Sequence, residues 1–266
     1  MMAPVDEWEQ LRADLTGEQD AVAALVADLA AADWSRATPA AGWDVHDQIA
    51  HLAYFDAAAA QALDDESAFV AQRDALVRAL ASADLDAATL QRGEDPARLL
   101  ERWTAARQAL AAGLTHAEPR RRVPWYGPSM SARSFARARL METWAHGHDV
   151  GAALARPLVP TDRLIHVARL GLATREWSYR VRGETPPPGQ VGLRLRAPSG
   201  ATWTLGPEGA DDWVEGAGED FCLVVTQRRH VDDTALRAGE LAHHWLTRAQ
   251  AFAGGPTTPP APGQGS

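Results

Sequence analysis

The sequence predicts an α-helical up-down four-helix bundle followed by a small α+β domain, and three observations carry that expectation. Apolar residues recur at helical spacing in long stretches as far as about residue 155. Beyond Pro160 the pattern breaks into short alternating segments divided by Pro- and Gly-rich turns. Hydrophobic residues make up 46% of the 266, which marks a globular chain long enough to bury one or two cores.

The elements follow in order. Trp8, Leu11, Leu15, Val22, Leu25 and Leu29 mark one face of an amphipathic helix over residues 5–31, with charges opposite. Pro39 and Gly42 place a loop at 32–42, and Asp44 caps a second helix over 45–63. A shorter third helix is expected over 66–80. Pro96 sits in the first turn of a fourth, which ends near Leu114. Residues 118–130 hold Arg120, Arg121, Arg122, Trp125 and Tyr126 among prolines and a glycine, and read as an ordered aromatic loop. A long helix over 131–155 stops at Arg156-Pro157, and four long helices joined by loops fit an antiparallel bundle.

The change of pattern divides the chain into residues 1–158, 159–254 and a tail, 255–266, whose Pro, Gly, Thr and Ser content reads as disordered. Within the second part we expect a helix over 162–179, strands over 191–197, 202–205 and 221–226, and a closing helix over 234–252.

Charge and composition narrow the function. The net charge of −9 excludes a general nucleic-acid binder, which needs a basic face to displace counterions. The single cysteine, Cys222, cannot form an intramolecular disulfide and fits a reducing compartment. No basic-then-apolar leader opens the chain and no apolar stretch reaches ~20 residues, so a cytoplasmic protein with no membrane partner is expected.

Two histidine-bearing segments carry the candidate chemistry. Glu142 and His146 are four residues apart, which puts a carboxylate and an imidazole on one helical face, one turn apart. A third ligand from another helix would complete an open site of two His and one Glu, the form of many catalytic zinc centres. His51 is the best third ligand, since Ile49, Leu52 and Phe55 place it beside the buried face of its helix. His46 points roughly 140° away from it, and His148 about 200° from His146. Asp149 is placed to take the second ring proton of a ligand or to contact a metal-bound water. The same spacings also occur as surface pairs and as hydrogen-bonded core histidines, so spacing leaves both readings open. Trp43, Trp103 and Trp144 read as pocket wall or as bundle core; core is the simpler assignment. Arg120–Arg122 read as an anion site or as a solvated loop, and Cys222 as a core thiol.

Gly42-Trp43-Asp44-Val45 with Asp47 and His51-Leu52, and Glu142-x3-His146 with Asp149, resemble the DinB-like bundle superfamily. More closely, they resemble the mycothiol-dependent maleylpyruvate isomerase family and related actinobacterial metal-binding proteins. The stretch from Val214 to Arg228 resembles that family's second domain, where a strand ends in Gly-Arg; here Gln227 stands in place of the Gly and Arg228 matches the Arg. The resemblance spans about residues 5–255. It implies one divalent metal, zinc, on His51, Glu142 and His146, and mycothiol as cosubstrate. The implied function is a thiol-dependent isomerase or S-transferase acting on a small electrophile that bears a carboxylate or carbonyl. A thiol held as thiolate adds to an electron-poor double bond; rotation and expulsion of the thiol give the isomer, and retention gives S-transfer. Arg228 is then the candidate contact for a substrate carboxylate or enolate, against the alternative of a surface ion pair. Two other classes stay open. One is a metal-dependent hydrolase, lyase or cyclase of specialised metabolism that uses no thiol. The other is a non-catalytic metal- or small-molecule-binding protein.

Overall fold

Carboxylates and one hydroxyl start the long helices, as each helix needs partners for its first orphan N–H groups. In the computed structural model, which describes residues 6–79 and 85–264, Asp6 accepts from the Trp8 amide at the head of α1 (Glu7–Val26). Asp44 and Asp47 form a reciprocal capping box on α2 (Val45–Asp64). Asp65 accepts from the Ala68 amide at the head of α3 (Glu66–Ala79). After the short α4 (Leu85–Thr89), Asp95 caps α5 (Pro96–His116) with Pro96 in its first turn. Ser131 caps α6 (Ala132–Leu154).

Residues Met1–Leu158 form one compact unit and Val159–Ser266 another. In the first, α1 packs on α6 and α5, and α2 packs on α5 and α6, so the four long helices close a ring. Val22, Val26, Ile49, Leu52, Leu99, Trp103, Val150 and Leu154 share its core. Gly147 lets α1 approach α6 closely, because a Cβ there would overlap the side chains of Val22 and Leu158. Residues 118–131 are closed by an antiparallel pair, β1 (Arg122–Val123) and β2 (Met130–Ser131).

Three expectations for this unit change. Helix α1 stops at Val26, and Ala31–Ser35 form a separate 3-10 turn. Leu29 still packs against the core from outside the helix, so the apolar period outruns the helical backbone. Helix α4 is an addition to the expected elements. The expected helix limits at Val5 and Leu80 lie outside the described residues.

The second unit holds α7 (Leu164–Ala173), α8 (Arg175–Arg180), β3 (Val191–Arg196), β4 (Thr202–Leu205), β5 (Asp212–Ala217), α9 (Gly218–Val225), β6 (Arg237–Ala238) and α10 (Glu240–Leu246). The strands form one sheet in the order β4-β3-β5-β6, with β3 and β5 parallel and the other pairs antiparallel. Helices α7 and α9 pack on each other and on β3.

The strand expected over 221–226 is instead helix α9. Its run Phe221-Cys-Leu-Val-Val is buried throughout, and a short apolar run with no polar face carries no period to tell strand from helix. The strand beside it, β5, is an addition to the expected elements. The helix expected over 162–179 breaks at Thr174, whose hydroxyl bonds back to the carbonyls of Leu170 and Gly171. The closing helix is far shorter than 234–252, because Arg237–Ala238 pair with β5 as an edge strand. Residues 255–264 carry no helix or strand, yet Thr257 bonds to Gln227 and Gln250, and the Gly263 amide donates to Asp233. Among the described residues no helix is long and apolar enough to cross a membrane.

Candidate metal centre

Helices α2 and α6 bring three side chains together. Four-residue spacing on α6 stacks Glu142 and His146, and His146 Nε2 lies 3.2 Å from Glu142 Oε2. His51, from α2, places its Nε2 3.8 Å from the same oxygen. One ligand atom from each of the three lies within 4.8 Å of the other two. The two imidazole rings are 4.3 Å apart between centroids. Trp43 stacks nearly parallel on His146 at 5.9 Å, and Phe55 sits 4.5 Å from His51. The three side chains retain 17, 23 and 11% exposure, for His51, Glu142 and His146 respectively, so they stand at the edge of the core within reach of solvent.

The electrostatics suit ligands. Burial drives the His51 imidazole down to about 4; His146 adds to this, Glu142 opposes it, and Arg139 adds a little more. Burial alone would raise the Glu142 carboxyl, but hydrogen bonds and charge from His146 and His51 hold it well below the usual carboxylate range. At neutral pH His51 therefore offers a bare lone pair and Glu142 a negative charge.

The other expected residues fall as follows. Asp149 is buried on α6, but the second ring nitrogen of His146, Nδ1, meets Gln48 Oε1 at 2.5 Å, so Gln48 holds the position offered to Asp149. Gln48 in turn donates to Thr38 Oγ1 at 2.9 Å. Gln48 was missed in the sequence; its only signal is a polar side chain one turn before His51 on a largely apolar helix. His46 turns away to the Glu94 carbonyl, 3.0 Å from Nε2. A second group, Asp44, His46 and Asp47, also converges, yet Asp44 caps α2 and Asp47 grips Arg92 at 2.9–3.2 Å. Of the three tryptophans, Trp43 borders the site, while Trp103 donates to Asp56 and Trp144 faces His148. Arg121 ties the Leu63 carbonyl, and Arg122 ties Ser129 across β1 and β2, so these arginines brace the loop.

Arg228 lies in the second unit and follows a helix, not a strand. Gln227 takes the left-handed conformation, φ 60°, that ends α9, and the Arg228 amide closes the turn on the Leu223 carbonyl at 2.8 Å. A Gly in that position is what such a helix end favours. Arg228 Nη1 donates to the Thr226 carbonyl at 2.7 Å. Cys222 is fully buried, and burial holds its thiol well above the ordinary value.

Comparison with known proteins agrees with this architecture. Two proteins described as uncharacterized, from Mycobacterium tuberculosis strains CDC 1551 / Oshkosh and ATCC 25618 / H37Rv, are each 45% identical over 92% of this chain and 95% of their own length. A crystal structure of the mycothiol-dependent maleylpyruvate isomerase superposes with a TM-score of 0.54 at 14% identity. A histidine-to-alanine variant of that enzyme superposes at 0.60 and 15%. Each comparison covers 88% of this chain and 93% of the other, and at that identity the likeness is one of fold. Residues 15–151, more than half of the chain and the stretch that contains His51, Glu142 and His146, match the mycothiol maleylpyruvate isomerase N-terminal domain, and the chain belongs to that family.

Proposed function

We propose that this chain is a metal- and thiol-dependent isomerase or S-transferase. Its metal centre is His51, Glu142 and His146 on a DinB-like up-down four-helix bundle. Its substrate is a small electrophile bearing a carboxylate or carbonyl, and its cosubstrate is a low-molecular-weight thiol of the mycothiol type, present reduced in the cytoplasm. The observation that carries the reading is the convergence of three ligand atoms from two helices. Atoms about 2.0–2.2 Å from one tetrahedral ion lie roughly 3.3–3.6 Å from each other. The separations of 3.2 and 3.8 Å about Glu142 Oε2 bracket that range, and all three ligand atoms lie within 4.8 Å of one another, which supports a single zinc-sized cation.

A divalent ion held by these three residues would supply Lewis acidity that favours the thiolate form of an incoming thiol at neutral pH. The chain's own groups prepare it. The neutral His51 needs to lose no proton to coordinate, Glu142 offsets part of the positive charge, and Trp43 and Phe55 flank the imidazoles. Within this reading Arg228 is the cation for a substrate carboxylate or enolate, and Asp149 a buried acid on the ligand helix.

The test is turnover of an α,β-unsaturated carboxylic acid with metal and thiol varied independently. The expected result is activity only when both are present. Turnover with metal and no thiol would transfer the site to a hydrolase, lyase or cyclase. Tight binding of the acid with no turnover under any condition would make the protein a binding module.

A further inference from the structure

We infer that Gln48 and Thr38 form a fixed relay that keeps a proton on His146 Nδ1 and thereby reserves His146 Nε2 for a cation. The inference deepens the function proposed above and rests on it for the identity of the cation, but not for the direction of the relay.

The direction follows from what each atom can do. Thr38 Oγ1 lies 2.9 Å from the Trp43 carbonyl oxygen, which can only accept, so the hydroxyl proton points there. Thr38 Oγ1 then has only lone pairs left for Gln48, and the Gln48 atom facing it at 2.9 Å must be the amide nitrogen. The amide oxygen consequently faces His146 Nδ1, at 2.5 Å. An amide oxygen only accepts, so Nδ1 must carry the proton.

The relay is rigid at both ends. Gln48 is fully buried, so rotation of its amide would strand a donor against Nδ1 with no water to satisfy it. The Trp43 carbonyl also accepts the Thr38 amide at 2.9 Å, within a tight loop closed by the Trp43 amide on Ala40 and by the bridge between Ala37 and Asp44. Trp43 thus holds His146 twice, through its ring face and through its carbonyl. On the far side of the ring, Nε2 faces Glu142 Oε2. With Nδ1 committed to Gln48, Nε2 is the ring nitrogen left to meet Glu142 Oε2, and a cation that takes the place of a proton between the two can bind both. Gln48 and Thr38 are therefore positioning residues that act through His146.

The relay is tested on full-length protein labelled with 15N at histidine, using zinc alone as the probe. Three variants are compared, with circular dichroism checking that each retains its helices. In the parent, metal-free and zinc-loaded, His146 Nδ1 is expected to carry the proton. In Gln48→Leu that preference is lost, and zinc binding weakens by about 10–100-fold. Gln48→Glu, which keeps an acceptor, retains both the Nδ1 proton and the affinity, a rescue that a merely space-filling role would not give. Thr38→Val, which frees the amide to rotate, falls between. A parent whose Nδ1 carries no proton overturns the inference, as does a Gln48→Leu protein that binds zinc as tightly as the parent. If the parent binds no zinc, the function proposed above fails, while the ring-nitrogen signals still decide the relay.

Discussion

Helices α2 and α6 share two polar clusters, and they differ in completeness. In one, Asp56 Oδ1 accepts from Nε and Nη2 of Arg139 at 3.0 and 2.9 Å, and Oδ2 accepts from Trp103 and Gln19 at 3.0 and 3.1 Å. Both carboxylate oxygens are satisfied and both ionised side chains are all but inaccessible. In the other, one turn along α6, Glu142 meets two imidazoles at 3.2 and 3.8 Å, with each side chain partly exposed. The same pair of helices thus carries a closed ion pair and an open donor set. A closed, buried network serves the fold; an open one at the solvent edge is available to a ligand.

The largest effect should fall on the closed cluster. Asp56→Ala strands the Arg139 charge in the core and should lower stability by about 3–5 kcal/mol in chemical denaturation. Glu142→Ala in metal-free protein should cost less, about 1–2 kcal/mol, because its two imidazole partners are partly exposed and water can reach them when it is lost. Equal losses in the two variants would erase the contrast.

The next effect is one of pH. His51 is held near 4 in the folded state, against about 6.5 unfolded. The unfolded chain therefore takes up a proton that the folded chain resists. The stability tied to His51 is present above about pH 6.5 and is lost as pH falls toward 4, to a total of about 3 kcal/mol. Glu142, also depressed, adds a loss of the same sign at lower pH. Denaturation of metal-free parent and His51→Ala at pH 7 and 5 should show the steeper fall in the parent; parallel curves would refute this.

A smaller effect concerns the packing that sets the helices around the site. Gly147→Ala puts a methyl into Val22 and Leu158 and should cost about 1–3 kcal/mol. A thermal midpoint unchanged from the parent would show that α1 and α6 yield without strain.

These contrasts also show what the sequence makes legible. The heads of α2 and α5 follow from Asp44 and Pro96, whose chemistry is local. The Glu142–His146 pair follows from helical spacing, and the placing of His51 from its apolar neighbours. Asp56 and Arg139 lie 83 residues apart, and nothing local in either marks the other. Gln48 gains its meaning only once the loop carrying Thr38 folds onto α2. Helix α9 misled because a buried run has no polar face, and β5 was passed over because Gly216 and two acids interrupt its apolar pattern.

The central claim is that His51, Glu142 and His146 hold one cation, and elemental analysis of purified parent beside His51→Ala tests it most directly. The account expects about one divalent ion per chain in the parent, and strong loss in a variant that keeps its helical circular dichroism, because one of three protein ligands is gone. Full metal content in His51→Ala, or none in the parent after incubation with zinc, would contradict it.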